Sequence, residues 1–101
     1  DGVQPTTAAP RIIAHTNERC AEAPLEDGDM LVAPAVVQMH CPTPGASIEW
    51  NDPDAHTDRW HLYTAPFVIR TPGPRTLRAR AVRLGFKPSR TASVSFDLRR
   101  A

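Results

Sequence analysis

The chain has 101 residues and a net charge of +1, which fits one domain and leaves little room for a second. Eleven prolines and five glycines divide it into short pieces, which argues against long helices, and its 41% hydrophobic content argues against wholesale disorder. A domain of this size can bury one core but offers no room for a deep, enclosed active site.

The N-terminal residues carry no folding signal. The chain begins at Asp1 without an initiating Met and has no signal-like or membrane-spanning apolar run, so no membrane span is predicted. This is what a segment excised or processed from a longer protein looks like. Residues 1–10 are small, polar and proline-bearing, which predicts a linker or frayed N-terminus, with the folded domain over residues 11–101.

The first half of the domain alternates short strands with turns. Ile12 and Ile13 predict an edge strand over residues 11–15, and the acidic, aperiodic residues 17–30 predict a loop with room for one helical turn. Residues 35–41 alternate as a half-buried strand does, and the Pro44-Gly45 pair after them favours a type II turn.

The middle of the chain repeats this pattern. Residues 47–51 predict a strand with Ile48 and Trp50 on one face, followed by a polar turn that runs to Asp58. Residues 60–63 predict a strand that ends before Pro66, residues 67–70 predict another, and residues 71–74 predict a turn.

The clearest pattern is at the C-terminal end. Leu77, Ala79 and Ala81 alternate with arginines, and a second alternating run follows over residues 93–98. Gly85, Pro88 and their polar neighbours predict the turn of an antiparallel hairpin.

About seven short strands separated by turns predict an all-β fold, an antiparallel sandwich in a single domain. The predicted core residues are Val37, Met39, Ile48, Trp50, Phe67, Ile69, Leu77, Ala79, Ala81, Val94 and Phe96.

Residues 41–98 carry an ordered set of short motifs: Pro44, Gly45, Ala46 and Ile48; Asp52 and Pro53; Tyr63, Thr64 and Pro66; Leu77, Ala79, Ala81, Gly85, Ser89 and Phe96. In this order they resemble the chitobiase/β-hexosaminidase C-terminal type of domain. Trp50 stands where that family usually has Tyr, and the polar turn after it lacks the usual Asp-Gly pair.

The resemblance implies an immunoglobulin-like or fibronectin-III-like sandwich. It further implies a non-catalytic accessory domain, similar to those at the C-terminal end of glycoside hydrolases, sulfatases and other secreted or periplasmic enzymes. The expected partner is the catalytic domain of the same parent chain, and the expected location is periplasmic or secreted. The family pattern carries over no catalytic residue and no cofactor.

Basic residues concentrate in one part of the chain. Residues 70–101 hold nine of the 12 Lys and Arg and only one of the 11 acids, Asp97. Arg78 and Arg80 share a strand face, and Arg83, Lys87 and Arg90 are expected to extend the basic surface across the turn. We expect a solvated face offset by acids of adjoining strands, a domain-docking face, or a binding surface for glycan or anionic polysaccharide. No aromatic residues interleave with these arginines, so nucleic acid is not an expected partner.

Two of the aromatic residues are binding candidates. Trp60 and Tyr63 would stack on sugar rings if both are exposed, whereas Trp50 is the expected core anchor. An independent carbohydrate- or polyanion-binding module that uses the arginines or Trp60 is therefore the alternative function.

The remaining reactive residues give weaker signals. Cys20 and Cys41 either form one disulfide or stay as small buried hydrophobes. His15, His40, His56 and His61 have no metal-ligand spacing, so no metal site is predicted.

No catalytic site is predicted either. The Asp52 and Asp54 pair has the setting of turn-forming residues rather than of a glycosidase pair. A G-x-S-x-G motif, which would mark a nucleophilic serine, does not occur.

Overall fold

The computed structural model describes residues 4–16, 24–51 and 59–100. Within them the chain forms eight β-strands and no helix. The strands are β1 (Arg11–His15), β2 (Met30–Val32), β3 (Ala35–His40), β4 (Ser47–Asn51), β5 (His61–Leu62), β6 (Phe67–Ile69), β7 (Gly73–Val82) and β8 (Ala92–Arg99).

The strands form two sheets, with the order β1-β3-β6 in one and β2-β8-β7-β4-β5 in the other. Consecutive strands cross repeatedly between the sheets, while β4–β5 and β7–β8 are hairpin pairs within one sheet. This is an all-β sandwich of two sheets, as predicted.

Alternation along the strands builds the core between the sheets. In β7, Leu77, Ala79 and Ala81 are fully buried, and β8 buries every second residue in the same way. Nine of the predicted core residues are buried, while Trp50 and Phe67 are half-buried and pack against the core cluster. The core also contains Leu31 and Leu98, which the β2–β8 pairing brings together.

The predicted turn around Gly45 is confirmed. Gly45 has a φ of 75°, and the amide of Ala46 donates to the carbonyl of Thr43 at 3.4 Å. Proline before a glycine of positive φ is the signature of a type II turn.

Two strand predictions are corrected. Met30, predicted as the last residue of a loop, begins β2, whose other two residues were assigned to no element. Strand β2 pairs in parallel with β8, so the sandwich is not wholly antiparallel. Gly73 and Pro74, predicted as turn, begin β7. Pro74 is tolerated because β4 pairs with β7 only as far as Arg78, so no strand of the described residues pairs with this edge of β7 at Pro74.

Residues 5–8 are attached to the sandwich. The amide of Thr7 donates to the carbonyl of Lys87 at 2.9 Å, the amide of Lys87 donates to the carbonyl of Pro5 at 2.8 Å, and Thr7 is buried. The amide of Ala8 donates to Oγ1 of Thr43. The boundary predicted at residue 11 stays a prediction, but the segment just before it is held by hydrogen bonds.

Candidate functional site: the outer face of the five-stranded sheet

One row of side chains crosses three strands on the solvent side of the larger sheet. The register places Leu62 of β5 beside Glu49 of β4, and Glu49 beside Arg80 of β7. Residues directly opposite one another in a sheet share a face. Because Ala79 and Ala81 point into the core, this row lies on the opposite, outer face. We call the row, together with Trp60 and Arg78, the outer face.

Arg80 is held between a carboxylate and an aromatic ring. Its Nε donates to Oε1 of Glu49 at 2.9 Å, and its Cζ lies 4.0 Å from the ring centroid of Trp60. The side chains of Arg80 and Glu49 are 37% and 33% exposed, so water still screens the ion pair. The expectation that an acid of an adjoining strand offsets the arginines is confirmed for Arg80.

Arg78 shares the outer face with Arg80 and is exposed. The register places it beside Asn51 and Ser93, neither of which carries a charge. Among the described residues, Arg78 therefore has no charged register partner, in contrast to Arg80.

The two aromatic binding candidates are not brought together. Trp60 lies under Arg80 on the outer face, whereas Tyr63 packs against the hydrophobic core. The amide of Tyr63 donates to the carbonyl of Ile48 at 2.8 Å, which continues the β4–β5 pairing. A two-ring platform for sugars is therefore not assembled, and one face of the Trp60 ring already carries a guanidinium.

The residues of the predicted basic surface also lie in two separate places. Arg83 and Lys87 lie beyond the end of β7, in its turn to β8, rather than on the outer face. The Cζ of Arg83 sits 4.4 Å from the ring centroid of Phe86, and the backbone of Lys87 holds residues 5–7.

The cysteine and histidine predictions are only partly covered by the described residues. Cys41 is joined to no cysteine of the described residues, and its Sγ donates to the carbonyl oxygen of Ala8 at 3.3 Å. Cys20 lies outside the described residues. Their pairing stays a prediction. Nε2 of His15 lies 3.0 Å from Oε1 of Gln38, and the His61 ring lies 4.9 Å from Trp50.

No metal-binding group of three His, Cys, Asp or Glu side chains occurs in the described part of the chain. Asp52, Asp54, His56 and Asp58 lie outside the described residues. None of the described residues forms a helix long and apolar enough to cross a membrane.

Two clefts were not predicted, because each is lined by segments far apart in the sequence. A cleft of about 300 Å³ lies between the β2–β3 and β6–β7 turns and is lined by Ala33, Pro34, Arg70, Pro72 and Arg100. A cleft of about 500 Å³ is lined by Ala9, Pro10, Arg11, Arg90, Thr91, Ala92 and Ser93. Each contains two arginines and no carboxylate, imidazole or thiol.

The fold and the outer face define an all-β sandwich with a polar, partly aromatic sheet surface. No protein-family model and no curated protein matches the chain. The chain is similar to the extracellular domain of a hybrid two-component system from B. thetaiotaomicron, with a TM-score of 0.60 and 10% sequence identity. The match covers 96% of this chain and 16% of that one. At this identity the likeness shows a distant β-rich fold and does not support the chitobiase C-terminal type in particular.

Proposed function

We propose that the chain is a non-catalytic accessory domain that packs on the catalytic domain of a larger parent protein. The resemblance in its sequence makes a glycoside hydrolase or sulfatase the proposed parent, with this domain at the C-terminal end. Its role is to hold and orient the catalytic domain or to help position substrate.

The observation that carries the proposal is the ordered row on the outer face. Arg80 is fixed by Glu49 and Trp60 before any partner arrives, so docking does not have to immobilise these long side chains. Leu62, at the end of this row, is 60% exposed and offers apolar surface, and Arg78 is an exposed cation elsewhere on the outer face. An apolar residue flanked by ordered polar side chains is typical of the contact surface between domains.

The chemistry of the two clefts also supports a non-catalytic role. General acid-base and nucleophilic catalysis use carboxylates, imidazoles, thiols or activated hydroxyls held beside a base. The clefts bring together arginines, prolines and small residues, with Thr91 and Ser93 as the hydroxyl groups. No base lines either cleft to activate these hydroxyls.

An independent glycan- or polyanion-binding module is the second candidate. It is favoured by the exposed Arg78 and by the Trp60 ring on the same face. Sugar stacking would have to use the ring face that Arg80 does not cover. This candidate predicts that Arg78→Gln and Trp60→Ala each weaken binding of a heparin tetrasaccharide or chitotetraose in a calorimetric titration.

The first test of the accessory role is the reading frame on either side of these residues. An upstream hydrolase domain is expected, and a stand-alone frame with its own secretion signal would overturn the proposal. In the full-length protein, Leu62→Lys should separate one calorimetric unfolding transition into two by placing an unpaired charge in the interface. The matched control is Val68→Lys, at a residue 44% exposed on the other sheet, and it should leave one transition. Equal effects of the two variants would contradict docking through the outer face.

A further inference from the structure

The described residues cover the backbone edge of β8 along most of its length but not all of it. One side pairs with β7 throughout, and on the other side β2 pairs with residues 97–99. Just before β2, the amide of Gly28 donates to the carbonyl of Ser95, and Oδ1 of Asp27 accepts the amide of Ser95. Beyond the opposite end of the strand, residues 5–7 pair with Lys87, five residues before β8 begins. Among the described residues, the gap between these covers spans residues 88–94, and its part within β8 is residues 92–94.

The gap exposes backbone hydrogen-bonding groups of β8. The amide of Ser95 points away from β7, toward Asp27, and strand residues two apart point the same way, so the amide and carbonyl of Ser93 also point outward. Ser93 is exposed, and neither of these groups bonds to a residue of the described ranges. An open strand edge of this kind is a template for pairing with another chain.

The gap opens into the cleft of about 500 Å³, whose facing wall is residues 9–11. Arg11 and Arg90 lie on the two walls, and both are exposed. Neither guanidinium forms an ion pair with any of the described residues, and no acid lines the cleft. The cleft therefore combines an open strand edge with two cations.

We propose that this gap binds an extended acidic peptide segment, which adds a short strand to β8 at Ser93. The peptide backbone exchanges hydrogen bonds with the amide and carbonyl of Ser93, and its carboxylates are held by Arg11 and Arg90. Three extended residues span roughly 10 Å at about 3.3 Å each, which suits a gap of this length. The proposal concerns the edge of the sheet farthest from β5 and is independent of the function proposed for the outer face.

An extended peptide fits these features better than a polysaccharide. A polyanion needs charge alone and tolerates many orientations, whereas the gap presents a donor and an acceptor at fixed positions between only two cations. The pairing geometry of the edge then selects a peptide backbone, and the arginines select its acidic side chains.

The test is a titration of the ¹⁵N-labelled chain with a capped octapeptide of alternating Glu and Thr. The neutral control peptide alternates Gln and Thr. We expect the Ser93 amide to shift and to gain protection from hydrogen exchange with the acidic peptide. Arg11→Gln and Arg90→Gln should each weaken binding about fivefold. The matched control is Arg70→Gln, at an exposed arginine that lines the other cleft, and it should leave binding unchanged.

Removal of the edge donor tests the strand itself. Ser93→Pro should reduce binding at least tenfold, while Ser93→Ala, which keeps the amide, should bind as the unmodified chain does. If Ser93→Pro does not fold, the proposal is tested in the unmodified chain by whether the acidic peptide protects the Ser93 amide from hydrogen exchange. Absence of binding at 1 mM peptide, or protection unchanged at Ser93, would overturn the proposal. So would a heparin tetrasaccharide that binds Ser93→Pro and displaces the peptide.

Discussion

Trp50 and Trp60 lie close together in the same sheet region, yet they face opposite ways. Trp50 turns inward, where its ring stacks on Phe67 with centroids 4.2 Å apart and planes 13° from parallel. Trp60 turns outward, where its ring lies under the guanidinium of Arg80. One ring joins the two sheets of the sandwich, and the other holds a surface side chain in place.

The comparison shows that the groups an aromatic ring contacts determine how much the ring contributes to the free energy of unfolding. The inner ring removes apolar surface from water and touches residues of both sheets, so its loss opens a cavity. The outer ring attracts a cation through its quadrupole, in a setting where water competes for the same charge. We therefore expect Trp50 to contribute more than Trp60 to the free energy of unfolding. Trp60 mainly holds the side chain of Arg80 in place on the surface.

The largest expected effect tests the inner ring. Trp50→Ala should lower the free energy of unfolding by about 3 kcal/mol, because Trp50 packs against the core and its stacking on Phe67 is lost. Urea unfolding followed by circular dichroism measures the change. Trp60→Ala serves as the control, and a loss as large in that variant would erase the distinction between the two rings.

Phe67, on which Trp50 stacks, should give the next largest change in the free energy of unfolding. Phe67→Leu should cost about 1 kcal/mol, since it keeps most of the apolar volume and removes the stacked ring. Val68→Ala, at the exposed neighbouring position, should change the unfolding midpoint in urea very little. An equal cost at both positions would mean that strand propensity rather than stacking is being measured.

The outer ring should contribute less. Trp60→Leu should lower stability by about 0.5 to 1 kcal/mol, because it retains apolar contact and removes the face that attracts Arg80. In a single-tryptophan comparison, iodide should quench the fluorescence of the Trp50→Phe variant more strongly than that of the Trp60→Phe variant. The reverse order would place Trp60 in the interior.

The smallest expected change in the free energy of unfolding comes from the ion pair of Glu49 and Arg80 beside Trp60. Glu49→Gln should cost about 0.5 kcal/mol at low ionic strength, and the cost should disappear in about 1 M salt because the pair is partly exposed. Thermal unfolding at two salt concentrations measures it. A cost that persists in high salt would mean that Glu49 acts through packing instead of charge.

Much of the sandwich could be predicted because its longer strands are half-buried. Leu77, Ala79 and Ala81 show the period of two directly, and Ile48 with Trp50 shows it in β4. The turn at Gly45 could be predicted for a different reason, since a proline before a glycine restricts the backbone locally.

The features that escaped prediction depend on contacts between distant parts of the chain. Strand β2 is three residues long, and its parallel pairing with β8 joins segments that no turn connects. The contact of Glu49 with Arg80 depends on the register between β4 and β7, and the side taken by Trp60 depends on where β5 begins. None of these three features is determined by the residues next to it in the sequence. The composition therefore predicted one basic surface, whereas its residues lie partly on the outer face and partly in the β7–β8 turn.

The hydrogen bonds between Lys87 and residues 5–7 have a consequence for where the two ends of the sandwich's chain lie. They hold the incoming chain at the β7–β8 turn, whereas β8 runs away from that turn over eight residues, roughly 26 Å at about 3.3 Å per residue. The chain therefore enters the sandwich at one end and leaves it at the other. A domain with this polarity would keep segments attached to its two ends apart, whereas insertion into a loop of a host protein requires entry and exit points that lie close together.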